Sequence, residues 1–257
     1  MTTTATMRTD IPIAAKTDSS ASASLVRFRT RCTSCNLREV CLPCGLPTTE
    51  MQSFDEVVYT RKRVKRGESL YRAGEAFGSL YAVRSGFLKS SVVLEDGRDQ
   101  VTAFHMAGEI VGMDGIGNDR HAADVSALED SEVCVIPYAR LEEAGLQRQL
   151  HRAMSRELVR DQGVMMLLGT MRAEERLAAF LLNLSQRFTA RGYSANEFHL
   201  RMKREEIGSY LGLSLETVSR LFSRFQAEGL VVVQQKHIRI LDVAGLRAVM
   251  MPERPTA

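Results

Sequence analysis

The chain has 257 residues, 44% hydrophobic and 25% charged, with a formal net charge of +3. That balance belongs to a globular chain of one large or two ordinary domains rather than to a disordered or fibrous one, and no run of about 18 apolar residues marks a membrane-spanning helix. The charge is uneven, because residues 171–257 carry 13 Lys and Arg against 9 Asp and Glu, a basic excess at the C-terminal end that fits contact with nucleic acid.

Residues 1–24 are rich in Thr, Ser and Ala and lack the apolar stretch of a secretory signal, so they read as a disordered arm of a cytoplasmic protein. Residues 25–47 form a cysteine-rich loop: RCTSCNLREVCLPCGL, 31–46, holds Cys32, Cys35, Cys41 and Cys44, and the fifth cysteine is Cys134. In a reducing compartment clustered thiols are more often metal ligands or redox groups than structural disulfides, and five is an odd number for pairing. Three readings stay open on the residues alone: a structural zinc held by two CxxC pairs, a thiol–disulfide switch, or part of an iron–sulfur site. The five-residue gap between the pairs is short for zinc knuckles, and Pro43 stiffens the second pair. Arg29, Arg31 and Arg38 nearby would either offset the negative charge of ligating thiolates or form a solvated basic loop.

Residues 48–139 are punctuated by glycines at 67, 74, 78, 86, 97, 108, 112, 115 and 117. The stretches between them, such as SLYAVRSG and QVTAFHMAG, have the length and the Val, Tyr, Phe and Leu content of strands, which predicts a small antiparallel barrel or roll. Glu95-Asp96-Gly97-Arg98 is a hairpin tip. From Arg140 to about Arg187 there is no proline, and a long helix is predicted, with residues 140–171 as its dimerisation part. Leu150, Met154, Leu158, Asp161, Met165 and Leu168 follow at steps of 4, 4, 3, 4 and 3, the seam of a two-helix contact with one carboxylate in it, although such a stripe also fits packing on the chain's own roll.

Residues 172–257 hold a helix-turn-helix in KREEIGSYLGLSLETVSRLFSRFQAEGL. Gly212 suits a helix end and Ser214 a helix start, with Glu216 in the first turn. Leu215, Val218, Leu221, Phe222 and Phe225 form the predicted buried face of the second helix, leaving Glu216, Thr217, Ser219, Arg220 and Arg224 outside it. The N-terminal part of such a helix enters the major groove, where Arg pairs with guanine, Glu accepts from cytosine and Ser meets base or phosphate. GLVVV and HIRILD then predict the two strands of a wing. Lys203 stands where an oxygen-bearing N-cap is expected, with no compensation visible in the sequence.

The predicted fold is thus α+β: an N-terminal antiparallel β-roll, jelly-roll-like, a long dimerisation helix and a C-terminal winged helix-turn-helix. This order, with AEERLAAFLLNLSQRF at 173–188, EEIGSYLGLSLETVSRLFSRFQ at 205–226, GEIVGMDGIG and SEVCVIP, resembles the cyclic-AMP receptor/FNR superfamily of bacterial transcription regulators, and FNR-type oxygen sensors in particular. The resemblance implies a homodimer on palindromic double-stranded DNA with TTGAT-like half-sites, read by Glu216, Ser219 and Arg220, and contact with RNA polymerase through the 95–98 turn. It implies a [4Fe–4S] cluster held by Cys32, Cys35, Cys41 and Cys134, with Cys44 surplus, and Asn36 and Val40 flank two of these ligands. Cyclic-nucleotide binders of the superfamily hold the phosphate with an Arg followed by Ser or Thr; here Arg120 is followed by His121 and Ala122, so no cyclic nucleotide is expected. None of His105, His121 and His151 carries a haem motif. No nucleophile–base pair or phosphate loop suggests an enzyme, and an iron–sulfur electron carrier would have no use for a helix-turn-helix.

Overall fold

The computed structural model describes residues 25–26, 31–58 and 60–251; the arm 1–24 and Arg29 lie outside them. The elements run β1 (Leu25–Val26), α1 (Thr48–Val57), β2 (Thr60–Val64), β3 (Ser69–Tyr71), β4 (Ser79–Ser85), β5 (Phe87–Val93), β6 (Asp99–Met106), β7 (Ile110–Val111), β8 (Asp124–Ala127) and β9 (Ser131–Pro137). After them come α2 (Tyr138–Glu143), α3 (Gln147–Thr170), α4 (Ala173–Thr189), β10 (Glu197–His199), α5 (Arg204–Leu211), α6 (Leu215–Ala227), β11 (Val231–Gln234), β12 (His237–Ile240) and α7 (Val243–Met250).

The glycine-punctuated strands form two antiparallel sheets, ordered β1-β2-β9-β4-β7 and β3-β8-β5-β6. Because side chains alternate along a strand, β4 and β9 serve two cores at once. Val83 and Val133 point between the sheets, where they join Val64, Leu70, Leu88, Val111 and Val125. Leu80, Ala82, Cys134 and Ile136 lie on the opposite face, under Phe54 and Val57 of α1 and Leu42 of the cysteine loop. Cys134 therefore sits in a central strand, opposite Arg61 of β2 and Ala82 of β4.

The long helix expected from 140 to about 187 is three helices. Gly145 takes the left-handed conformation (φ 69°) between α2 and α3, a region open to glycine. Met171 and Arg172 are extended between α3 and α4. Arg176 holds this second break, donating to the carbonyls of Leu168 (2.8 Å), Met171 (2.9 Å) and Leu211 (3.0 Å), groups a helix end leaves without partners.

Helices α4–α7 and the sheet β10-β12-β11 make the C-terminal half, whose core of Leu177, Leu181, Ile207, Val218, Phe222 and Phe225 continues into Phe87, Val101 and Phe104 of the roll. Gly208 is needed where α5 meets the turn, since a Cβ there would lie 2.6 Å from the Leu213 carbonyl oxygen. Gly212 ends α5 at φ 63°, and Ser214 Oγ accepts the Thr217 N–H (3.1 Å) to start α6. The missing cap at Lys203 has its compensation three residues on: Glu206 Oε2 accepts the Lys203 N–H at 2.7 Å, half of a capping box. Leu215 departs from expectation. It is 46% exposed, because as the first residue of α6 it precedes by one turn the point, Val218, where that face enters the core.

Candidate functional site

The segment 32–46 winds through successive tight turns, with the N–H of Cys35, Arg38, Val40, Cys44 and Leu46 donating to the carbonyls of Cys32, Cys35, Leu37, Cys41 and Pro43. Asp55 of α1 anchors its start, accepting the N–H of Cys32, the N–H of Thr33 (3.2 Å) and the Thr33 hydroxyl (2.7 Å). The winding brings Cys32, Cys35 and Cys41 over β9, where with Cys134 they line one cavity, walled by Phe54, Val58, Ala82 and Ile136. All are free thiols. Cys44 is not on this cavity; it lines a separate one with Val40, Gly108, Glu109 and Arg156.

Cys32, Cys41 and Cys134 share an electrostatic problem. Burial pushes the Cys32 thiol far up, and Cys41 and Cys134 nearby push it further. Burial takes Cys41 to about 12 despite a backbone hydrogen bond at Leu42 that opposes it, and it raises Cys134 against the pull of Arg84 and Arg61. Thiols raised in this way become thiolates only when a positively charged group lies among them, and a set of soft sulfur ligands suits iron or another soft metal. Among the described residues no three His, Cys, Asp or Glu side chains converge as one metal ion requires. A single tetrahedral zinc, at about 2.3 Å per thiolate, needs such a convergence, whereas a multi-iron group spreads its ligands.

Of the arginines expected beside the thiols, Arg29 lies outside the described residues and Arg38 turns to another partner. Arg38 pairs with Glu39 in solvent (2.9 Å), whereas Arg84 Nη1 lies 3.8 Å from Cys35 Sγ and its Nε lies 3.4 Å from Glu132, which Arg61 also meets at 3.3 Å. Arg84, Arg61 and Asp55 carried no signal in the sequence, since each is placed by a sheet or helix register far from the cysteines.

On α3, Met154, Leu158 and Met165 are exposed together with Val159 and Met166, and Asp161 lies on the same helix surface, also exposed. Leu150 is a correction: it is buried within the chain's own core with Leu141, Leu146 and Ala153, because its end of the helix still packs on the roll. Leu168 is half-buried.

On α6, Glu216, Ser219, Arg220 and Arg224 are exposed and Thr217 is half-buried. Backbone and Ser214 hydrogen bonds at the helix start hold the Glu216 carboxyl below its usual range, so it is ionised. Arg224 is tied to Glu228 (2.7 Å), one turn on.

One cluster was not anticipated. Glu109, in the turn before β7, is half-buried and accepts from Arg187 Nη2 (2.6 Å) and Arg191 Nη2 (2.8 Å) of the α4 end, and lies 3.2 Å from Arg160 of α3. Burial would raise its carboxyl, but the three arginines bring it down to about 2. The preceding Gly108 (φ 88°) touches the cysteine loop so closely that a Cβ would fall 2.6 Å from Val40 Cγ2.

Two family models match: a cyclic nucleotide-binding domain over residues 61–147 and a Crp-like helix-turn-helix domain over 175–249. The transcriptional regulatory protein btr of Bordetella pertussis is 49% identical over 227 residues, covering 86% of this chain and 94% of that protein. The fumarate and nitrate reduction regulatory protein of Vibrio cholerae is 45% identical over 220 residues, covering 84% and 88%. The structure of FixK2 from Bradyrhizobium japonicum superposes with a TM-score of 0.69 at 30% identity, over 77% of this chain and 98% of that one. No helix among the described residues is long and apolar enough to cross a membrane.

Proposed function

The chain belongs to the Crp/FNR family of DNA-binding transcription regulators, and on that premise we propose that it is a cytoplasmic, oxygen-responsive regulator whose Cys32, Cys35, Cys41 and Cys134 hold a [4Fe–4S] cluster. The observation that carries this reading is the meeting of Cys134, from a central strand, with three loop cysteines on one cavity that Cys44 does not line. When bound, the group supplies a site of oxygen attack. The chain's own part is mechanical: thiolate ligation ties the loop 32–41 to β9, with Asp55 fixing the loop's start and Arg84 and Arg61 offsetting thiolate charge.

The exposed apolar ridge of α3 fits the same ridge of a second copy, and in that arrangement two Asp161 side chains oppose association. A dimer so formed presents two α6 helices to a palindrome of TTGAT-type half-sites, with Arg220, Ser219 and Glu216 at the bases. The 95–98 hairpin tip, closed by Asp96 on the Arg98 N–H (3.1 Å) and guanidinium (2.7 Å), is the surface assigned to RNA polymerase. The name of the Vibrio cholerae relative supports control of genes for anaerobic metabolism.

Anaerobic purification followed by iron, sulfide and zinc analysis tests the cluster. Cys134→Ser should lose iron and sulfide while Cys44→Ser keeps both. Retention of iron by Cys134→Ser, or loss of zinc confined to Cys44→Ser, would overturn the assignment.

A further inference from the structure

The roll matches a cyclic nucleotide-binding domain, yet its segment Arg120-His121-Ala122-Ala123 is already occupied from within the chain. Arg120, the cation that would face a phosphate, turns outward and donates to the Gly74 carbonyl at 2.6 Å. The consecutive N–H groups of Ala122 and Ala123, an arrangement that concentrates positive potential on one point, both donate to Asp114 Oδ2, at 2.7 and 3.2 Å. The other carboxylate oxygen accepts the Tyr71 hydroxyl at 3.3 Å and lies 3.5 Å from His121 Nδ1. His121 is buried, its ring stacked on Tyr71 with centroids 3.6 Å apart and edged by Phe77 at 5.7 Å, so this side of the site is fixed by packing.

We propose that Asp114 is a built-in anion: its carboxylate fills the anion-binding turn at Ala122–Ala123, where a roll of this kind would take the phosphate of a diffusible ligand. The turn thus keeps its shape with no bound nucleotide. Burial alone would raise the Asp114 carboxyl, but the bonds from His121, Ala122 and Ala123 hold it below the usual carboxylate range, as a resident anion requires. The inference is independent of the iron–sulfur reading, since none of these residues lines the cysteine cavity.

Removal and replacement of the anion test it. Asp114→Ala in the full chain leaves two N–H groups without an acceptor, and its melting midpoint in chloride should fall by about 4–8 °C. Sodium formate, which matches the lost carboxylate in size, should restore at least half of that fall at equal ionic strength, while the wild-type midpoint is the same in both salts. If Asp114→Ala fails to fold in chloride, refolding yield is the readout, with recovery in formate expected. Asp114→Asn, whose amide oxygen still occupies the turn, should gain nothing from formate. A formate effect equal in all three proteins, or none in Asp114→Ala by either readout, overturns the proposal.

Discussion

Replacing Glu109 with Gln leaves the side chain's shape but deletes the anion that Arg160, Arg187 and Arg191 share, Arg160 being paired with Glu157 as well. The carboxyl is brought from 4.5 to about 2, which favours the ionised, folded form by about 3 kcal/mol at 1.36 kcal/mol per pH unit. Removing one partner of a buried charge set typically costs about 3–5 kcal/mol, so the two routes agree. Glu109→Gln should lose about 3 kcal/mol in urea unfolding at pH 7 followed by circular dichroism. The sign with pH is fixed: a carboxyl whose folded value is depressed contributes fully above 4.5, and that contribution fades as pH falls towards 2. Wild type and variant should therefore converge in stability across that window. A loss under about 1 kcal/mol at pH 7, or a gap that stays constant down to pH 2, would refute the view that the three arginines act through this carboxylate.

The remaining expectations concern the dimer and the DNA. Asp161→Ala removes facing like charges from the proposed seam and should strengthen self-association on the order of tenfold by sedimentation equilibrium without a cluster; a variant that stays as monomeric as the parent would displace Asp161 from the seam. Arg220→Ala should weaken binding to a TTGAT-type palindrome by about 1–3 kcal/mol with little change on unrelated DNA, read by fluorescence anisotropy at fixed salt; an equal loss on both sequences would make Arg220 a phosphate contact instead.

What the sequence showed plainly was local. Gly212, Ser214 and the Val218-Leu221-Phe222-Phe225 stripe specify the second helix of the pair within fifteen residues, and the structure forms it there. The 3.6-residue period cannot tell which neighbour a stripe meets, so Leu150 was counted with the exposed ridge although it is buried in its own chain. Composition also missed the breaks at Gly145 and Met171, the second because the Arg176 guanidinium, which holds it, lies beyond the helix it ends. Glu109 was invisible for a stronger reason: its partners Arg187 and Arg191 are 78 and 82 residues away, and nothing near any of the three announces the others. The ligand set itself came from a family resemblance, since spacing alone left zinc, thiol and iron–sulfur readings open.

On the proposed reading, Glu109 would also connect the cysteines to the rest of the chain. From the loop, the contact Val40–Gly108 leads by one peptide bond to Glu109, which meets Arg160 of the exposed helix α3 and Arg187 and Arg191 at the start of the DNA-binding half. Arg191 also donates to the Ala107 carbonyl (2.5 Å) and Arg187 to that of Phe104 (2.6 Å), so the turn carrying Gly108 is gripped from the α4 side as well. On the proposed reading, a loop held on β9 by thiolate ligation would keep Val40 against that turn, and its release would withdraw it. The one Glu109 carboxylate would then, on the same reading, report loop position to the dimer ridge and to the DNA-binding helices together, with no separate signal needed for each.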